Sequence, residues 1–183
     1  GGTGSAGQLA IQIAKHLGAG TVVAAGRDVD KLTALPALGA DETIDLSAAP
    51  ETVAAELAAK AANVDVVLDY LWGAPAQAAI MPLLLGRDDR SRLLSWIQIG
   101  AIAGPDILLP SAALRQANVQ FMGSGQGSVS ARGILETLPS LADEIDRGRF
   151  SIDAVTRPLS DVERSWAEPA GMRRLVFLPQ SNP

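Results

Sequence analysis

The chain has 183 residues and carries 15 basic against 20 acidic side chains, which gives a formal net charge of −5. This negative balance argues against non-specific binding to nucleic acid or to an anionic membrane surface. The sequence contains no run of about 18 apolar residues, so no membrane span is predicted. Because the chain contains no cysteine, disulfides and thiolate metal sites are excluded, and we expect a cytoplasmic protein.

The hydrophobic pattern alternates between helical segments and short buried strands along the chain. Helices are predicted over 6–17, 30–38, 50–62, 75–85, 111–116 and 134–145. Strands are predicted over 21–25, 43–46, 64–70, 93–99, 119–122 and 175–178. Pro36 disfavours the last turn of its helix, a break is expected at Pro139, and Ser111 is expected to cap the short helix that ends at Gln116.

This alternation predicts an α/β fold, a Rossmann-like doubly wound parallel sheet with helices on both faces. The regular pattern stops near Gly148. We therefore place a nucleotide-binding domain in residues 1–149 and a separate C-terminal segment in residues 150–183.

A glycine-rich turn opens the chain, and Gly2, Gly4 and Gly7 in it form a G-x-G-x-x-G motif. The motif leads directly into a helix and then a strand, the context in which such a turn binds a pyrophosphate at the helix N-terminus. The alternative is the remnant of an N-terminal tag or a disordered chain end. A Walker-type phosphate loop is excluded because no lysine follows a glycine. A short-chain dehydrogenase needs a lysine four residues after a tyrosine, and it is excluded because Tyr70, the only tyrosine, is followed at that distance by Ala74.

The end of the second strand favours NADP(H) over NAD(H). Dinucleotide sites for NAD usually have an acidic residue here, whereas this chain has Gly26 followed by Arg27. A small residue leaves room for a 2′-phosphate, and the guanidinium and Lys31 would add positive charge. Asp28 opposes this interpretation unless it starts the next helix, and the alternative is that Arg27 and Lys31 are solvated surface residues.

Glycine recurs where three further strands end, in 69–73, 99–101 and 123–125. Ligands of open α/β sheets bind at this edge, so the recurrence favours close approach of a flat cofactor over ordinary turns. His16, the only histidine, is predicted to lie on the surface, which argues against a zinc site. Asp69 is expected to bond nearby backbone N–H groups, and no nucleophile–base pair is found, so the catalytic residues stay unknown.

Together these pieces resemble the medium-chain dehydrogenase/reductase superfamily, in particular its quinone oxidoreductase-like members, often labelled zinc-binding dehydrogenases. The resemblance spans nearly the whole chain and rests on residues 2–10, 14–19, 38–41, 44–45, 65–69, 99–100 and 174–177. It implies a Rossmann domain that binds NADP(H), which exchanges a hydride with a quinone, an enone, or an alcohol or carbonyl substrate.

The resemblance also implies roles for individual residues. The pyrophosphate would lie against the turn formed by Gly2, Thr3, Gly4, Ser5, Ala6 and Gly7. The 2′-phosphate would be surrounded by Gly26, Arg27 and Lys31, and the nicotinamide half would lie along Tyr70, Gly100, Gly123 and Ser124.

Members of the superfamily carry a GroES-like catalytic domain and a first Rossmann strand ahead of the position where this chain starts. We therefore expect an N-terminally truncated sheet whose empty position takes a second copy or a complementing N-terminal segment. Residues 150–183 would return to the catalytic domain. The alternative is a catalytically silent nucleotide-binding fragment or sensor module that pairs with another chain.

Overall fold

The computed structural model describes residues 1–125, 127–166 and 174–179. Its α-helices are α1 (Ser5–His16), α2 (Val29–Leu32), α3 (Pro50–Glu56), α4 (Gly73–Leu85), α5 (Ala113–Gln116), α6 (Ala131–Asp146) and α7 (Val162–Trp166). Its strands are β1 (Val23–Gly26), β2 (Glu42–Asp45), β3 (Val66–Asp69), β4 (Leu94–Gln98), β5 (Val119–Gly123), β6 (Ala154–Pro158) and β7 (Arg174–Leu178). A π-helical turn, Leu57–Ala61, extends α3, and 3₁₀ turns lie at Leu35–Leu38 and Leu159–Asp161.

Every strand pair that the structure describes is parallel, as predicted. β1 pairs with β2, β4 lies between β3 and β5, and β6 pairs with β7. In the register of the central pairs, Ala25 lies opposite Ile44 and Trp96 lies opposite Phe121. A helix lies between each of the strands β1 to β4 and the strand that follows it, as in the crossover connections of a Rossmann fold.

Helices cover both faces of the β1–β2 pair. Ala24 packs with Ile11 of α1 and Leu35, in a small core that also holds Leu32 and Ala40. Its neighbours in the strand, Val23 and Ala25, pack against the larger core built around Ile80, Leu84, Leu94 and Trp96. Since alternate residues of a strand point to opposite faces, the two cores lie on the two sides of a doubly wound sheet.

A gap separates β1 from β3. Within the described residues the two strands have no hydrogen bonds to each other, so each has one edge without a strand partner. Gly1 and Gly2 lie at the carboxyl end of this gap: both backbone nitrogens donate to the Ala25 carbonyl of β1, at 3.1 and 2.8 Å, and a Cβ on Gly1 would lie 3.0 Å from the Cβ of Tyr70, which follows β3. Val66 and Leu68 of β3 are 50% and 42% exposed, which is unusual for apolar residues of a parallel strand.

Proline has different effects in two helices. The helix predicted over 30–38 divides into α2 and the 3₁₀ turn that contains Pro36, because a proline nitrogen cannot continue the hydrogen-bond ladder. Gly39, with φ of 106°, ends this turn in the left-handed region. The predicted break at Pro139 is wrong: α6 runs through it from Ala131 to Asp146, so the other contacts of this longer helix outweigh the cost of an interior proline.

The predicted cap of α5 is also wrong. The helix begins after Ala112, and no side chain caps it. The Ser111 hydroxyl instead accepts a hydrogen bond from Arg115 at 3.2 Å. The residue lies one position too early to reach the free N–H groups of the first turn.

The start of the C-terminal segment is attached to α1. The Gln12 amide group donates to the Ser151 carbonyl at 2.9 Å and accepts from the Ser151 nitrogen at 2.7 Å. His16 is exposed, as predicted, faces Glu144 at 3.6 Å and contacts the Phe150 ring edge-on. No helix among the described residues has the length and apolar character needed to cross a membrane.

Candidate functional site

The glycine turn lies at the open N-terminal end of α1. Gly4 precedes the helix in an extended conformation, and no side chain caps the helix. The first turn contains no acidic residue, while Lys15 and His16 lie in the last turn. This distribution leaves the positive end of the helix dipole free of a competing carboxylate, the arrangement that suits an anionic ligand.

The three glycines of the motif differ in their surroundings. A Cβ on Gly7 would overlap the Gly1 carbonyl oxygen and lie 2.7 Å from the Gly2 Cα, so the turn packs directly on the helix backbone. A Cβ on Gly2 would lie 3.2 Å from the side chain of Ala24. Gly4 is open, since its nearest neighbour would be the Gly1 carbonyl at 3.6 Å. Gly7 is therefore required by packing, whereas Gly4 faces free space.

Charges at the end of β1 are divided between one pair and one exposed group. The Asp28 carboxylate caps α2 by accepting from the Lys31 nitrogen at 3.2 Å, and it pairs with the Lys31 ammonium at 2.9 Å. The side-chain hydrogen bond from Lys31 lowers the pKa of Asp28. Arg27 is exposed and has no hydrogen bond or ion pair within the described part of the chain. Asp28 therefore does start the next helix, and Arg27 is the uncompensated cation beside Gly26.

Asp69 ends β3 and bonds backbone N–H groups, as predicted. One carboxylate oxygen accepts from the nitrogens of Leu71 and Trp72, at 2.8 and 3.0 Å. The other accepts from the indole nitrogen of Trp96 at 3.0 Å. Sequence reasoning missed Trp96, because it lies 27 residues away in β4 and no local pattern links the two.

The ends of β3 and β4 are packed together beside the glycine turn. A Cβ on Gly1 would lie 3.0 Å from the Cβ of Tyr70, and a Cβ on Gly100 would lie 2.9 Å from the Tyr70 carbonyl oxygen. Burial raises the pKa of the Tyr70 phenol. The structure thus brings together the glycine turn, Tyr70 and Gly100.

Gly123 and Ser124 lie one strand further along the same edge. The Ser124 nitrogen donates to the Gln98 carbonyl at 2.8 Å, which extends the β4–β5 pairing by one bond. No atom lies within 4 Å of the position of a Cβ on Gly123. The two residues are therefore accessible at the end of β5.

The described residues offer no metal centre, since no three or more His, Asp and Glu side chains are grouped so that they could hold an ion. They also offer no hydrogen-bonded nucleophile and base at the strand ends. What the arrangement can do chemically is to bind an anionic group at α1 and a flat group along Tyr70 and Gly100.

Comparison with known proteins identifies the family of the chain. The sequence profile of the zinc-binding dehydrogenase family matches residues 6–138. The chain is 25% identical over 189 residues to a probable NADPH-dependent quinone reductase, tdiC, of Emericella nidulans, an alignment that covers 98% of this chain and 52% of that protein.

Solved structures show the same fold. A quinone oxidoreductase of Pseudomonas syringae pv. tomato superposes with a TM-score of 0.72 at 23% identity, over 97% of this chain and 54% of that one. A mycobacterial protein in complex with NADPH superposes with a TM-score of 0.71 at 22% identity, over the same shares of the two chains. The chain thus spans about half the length of the relatives that it matches. Because the family profile covers most of its residues, the chain belongs to the zinc-binding dehydrogenase family, within the medium-chain dehydrogenase/reductase superfamily.

Proposed function

We propose that this chain is the cofactor-binding portion of an NADP(H)-dependent oxidoreductase that exchanges a hydride with a quinone, an enone, or an alcohol or carbonyl compound. The observation that carries the proposal is the uncapped N-terminus of α1, open at Gly4, beside Gly26 and the unpaired Arg27. The names of its relatives, a probable NADPH-dependent quinone reductase among them, support the same reaction class.

In this proposal the residues of the chain bind and orient the cofactor. The pyrophosphate lies against the backbone of residues 2–7, where the free N–H groups and the helix dipole favour an anion. The nicotinamide half extends along Tyr70, Gly100, Gly123 and Ser124. A bound nicotinamide would donate or accept the hydride, and the residues of this chain would hold it in place. The zinc in the family's name has no fitting group of ligands among the described residues, so no step is assigned to a metal.

The preference for NADP(H) rests on the division of charge around Gly26. Both Asp28 oxygens are engaged by Lys31, so this carboxylate is poorly placed to accept the hydrogen bond of a ribose 2′-hydroxyl. The guanidinium of Arg27 is available to a phosphate, with which it forms strong paired hydrogen bonds. We expect Lys31 to contribute less, because Asp28 already neutralises it.

The gap between β1 and β3 supports a proposal about partners. A further strand, supplied by a complementing N-terminal segment or by a second copy, would pair the two free edges and cover Val66 and Leu68. Light scattering of the full chain distinguishes the cases. A dimer supports pairing with a second copy, and association with an added N-terminal segment supports complementation. A stable monomer that binds no added segment contradicts both cases.

Isothermal titration of the full chain with NADPH and with NADH tests the cofactor. We expect Arg27→Gln to weaken NADPH binding about tenfold, as for loss of a charged hydrogen bond, and to leave NADH binding unchanged. Arg132→Gln is the matched control, because that side chain is 87% exposed on α6. Failure to bind either cofactor would overturn the proposal, and tighter binding of NADH would overturn the role of Arg27.

A further inference from the structure

A buried carboxylate organises the strand ends next to the glycine turn. Asp69 is only 7% exposed, and its two side-chain oxygens accept three hydrogen bonds. The donors are two backbone N–H groups of the loop after β3, from Leu71 and Trp72, and the indole of Trp96 in β4. No hydrogen bond in which the Asp69 side chain would donate occurs within the described residues.

The backbone of Asp69 makes the same connection. Its carbonyl accepts from the nitrogens of Ile99 and Gly100, at 2.7 and 3.1 Å. This residue therefore holds the loop that follows β3 and the loop that follows β4 at once. Those two loops contain Tyr70 and Gly100, which form the wall beside the glycine turn.

The loop held by the carboxylate has a conformation that its sequence disfavours. Trp72 has φ of 52° and ψ of −158°, a region that is almost restricted to glycine. Gly73 has φ of 58°, and a Cβ there would lie 2.5 Å from the Ala103 carbonyl oxygen. Such a backbone persists only where surrounding contacts fix it, and the hydrogen bond from the Trp72 nitrogen to Asp69 is one of them.

We propose that Asp69 is a positioning residue for the cofactor: its carboxylate fixes residues 70–73 so that Tyr70 lies against the glycine turn. This inference rests on the proposed function, because it assigns the fixed wall to a bound nicotinamide cofactor. Asp69 reaches the cofactor only through the loop that it holds.

The chemistry of the three donors requires a carboxylate. An ionised carboxylate accepts hydrogen bonds through both oxygens, whereas an amide accepts through one oxygen and donates through its nitrogen. In Asp69→Asn the amide nitrogen must face an N–H donor, either the Trp96 indole or the two loop amides. Removal of the indole by Trp96→Phe lets the remaining oxygen of the asparagine turn to Leu71 and Trp72.

The test compares Asp69→Asn, the double variant Asp69→Asn/Trp96→Phe and the control Asp65→Asn, all in the full chain. Asp65 precedes β3 at its other end and pairs with Arg92 on the surface. NADPH affinity is measured by titration, and hydrogen exchange of the Leu71 and Trp72 amides is measured by NMR. We expect Asp69→Asn to weaken NADPH binding about tenfold and to accelerate both amides, and the control to change neither.

The double variant separates positioning from general stability. It removes more buried structure than the single variant, so an effect that came only from destabilisation would grow. We expect it instead to slow the two amides again and to recover most of the NADPH affinity. The inference is overturned if Asp69→Asn leaves the exchange of the two amides unchanged. It is also overturned if Asp69→Asn accelerates their exchange and leaves the NADPH affinity unchanged. If the parent chain binds no NADPH, the proposed function fails, and the exchange measurement still decides whether Asp69 fixes the loop.

Discussion

The side chain of Thr3 lies directly over Gly26, so that a Cβ on Gly26 would be 2.5 Å from the Thr3 methyl carbon and 2.9 Å from its hydroxyl oxygen. The glycine turn thus packs on the end of β1 through this side chain as well as through the hydrogen bonds of Gly1 and Gly2 to the Ala25 carbonyl. Gly26 has a packing reason to be glycine that is independent of any 2′-phosphate.

We expect Gly26→Ala to lower the free energy of unfolding by about 1–3 kcal/mol, because the new methyl group overpacks the contact with Thr3. Thr3→Ala removes the two closest atoms and leaves only the Thr3 Cβ, at 3.2 Å. The double variant should therefore regain most of the loss in urea-induced unfolding. Strictly additive effects of the two substitutions would show that the overlap is relieved elsewhere.

The glycines of the turn should separate into one that packs and one that faces a ligand. Gly7→Ala forces a methyl group into the backbone of Gly1 and Gly2, and we expect a loss of stability of about 1–3 kcal/mol together with loss of NADPH binding. Gly4→Ala has room in the free chain, so we expect unchanged or slightly raised stability but weaker NADPH binding. Thermal unfolding and titration of the same samples measure both quantities. Undiminished NADPH affinity in Gly4→Ala would place the pyrophosphate elsewhere.

Trp72 offers a direct test of backbone strain. Its left-handed φ of 52° with extended ψ costs a residue with a Cβ about 1–3 kcal/mol, a cost that glycine avoids. Trp72→Ala loses the packing of the ring and keeps the strain, whereas Trp72→Gly loses the same packing and relieves it. We therefore expect the glycine variant to be the more stable of the two by about 1 kcal/mol or more, in urea unfolding. The opposite order, normal for an extended residue, would contradict the strain.

Much of the fold follows from local pattern. The strand predicted over 64–70 is readable from its run of valine and leucine, and the first helix from apolar residues that repeat with the helical period. Gly39 marks a left-handed end. The effect of a proline was harder to predict. The ring at Pro36 coincides with a break and the ring at Pro139 does not, because the outcome depends on whether the rest of the helix outweighs one lost hydrogen bond.

The candidate site was predictable as a set of positions and not as a set of contacts. Glycines at strand ends indicate where a backbone approaches closely, but they do not tell which atom is close. The close approach of Thr3 to Gly26 and the hydrogen bond from Trp96 to Asp69 join residues 23 and 27 positions apart, which only the packed sheet brings together. The engagement of Asp28 by Lys31 is local, and the i, i+3 spacing could have revealed it.

An ion pair between α1 and the start of β2 gives a prediction for pH. The Asp41 carboxylate accepts from the Lys15 ammonium at 2.7 Å and from the Val22 nitrogen at 2.7 Å, and the Lys15 bond, followed by the Val22 bond, lowers the pKa of Asp41. A carboxyl group whose pKa is lower in the folded chain stabilises it above the unfolded pKa, and this contribution disappears as the pH falls through the folded pKa. We therefore expect Asp41→Asn to lower the free energy of unfolding at neutral pH, by an amount that becomes progressively smaller below the ordinary aspartate pKa of 3.8.

Urea unfolding between about pH 2 and 7 measures this change in stability, with Asp106→Asn in the exposed 101–110 loop as control. Lys15→Met should raise the pKa of Asp41 in an NMR titration, and a cost of Asp41→Asn that is constant over the whole pH range would mean that the charge contributes nothing.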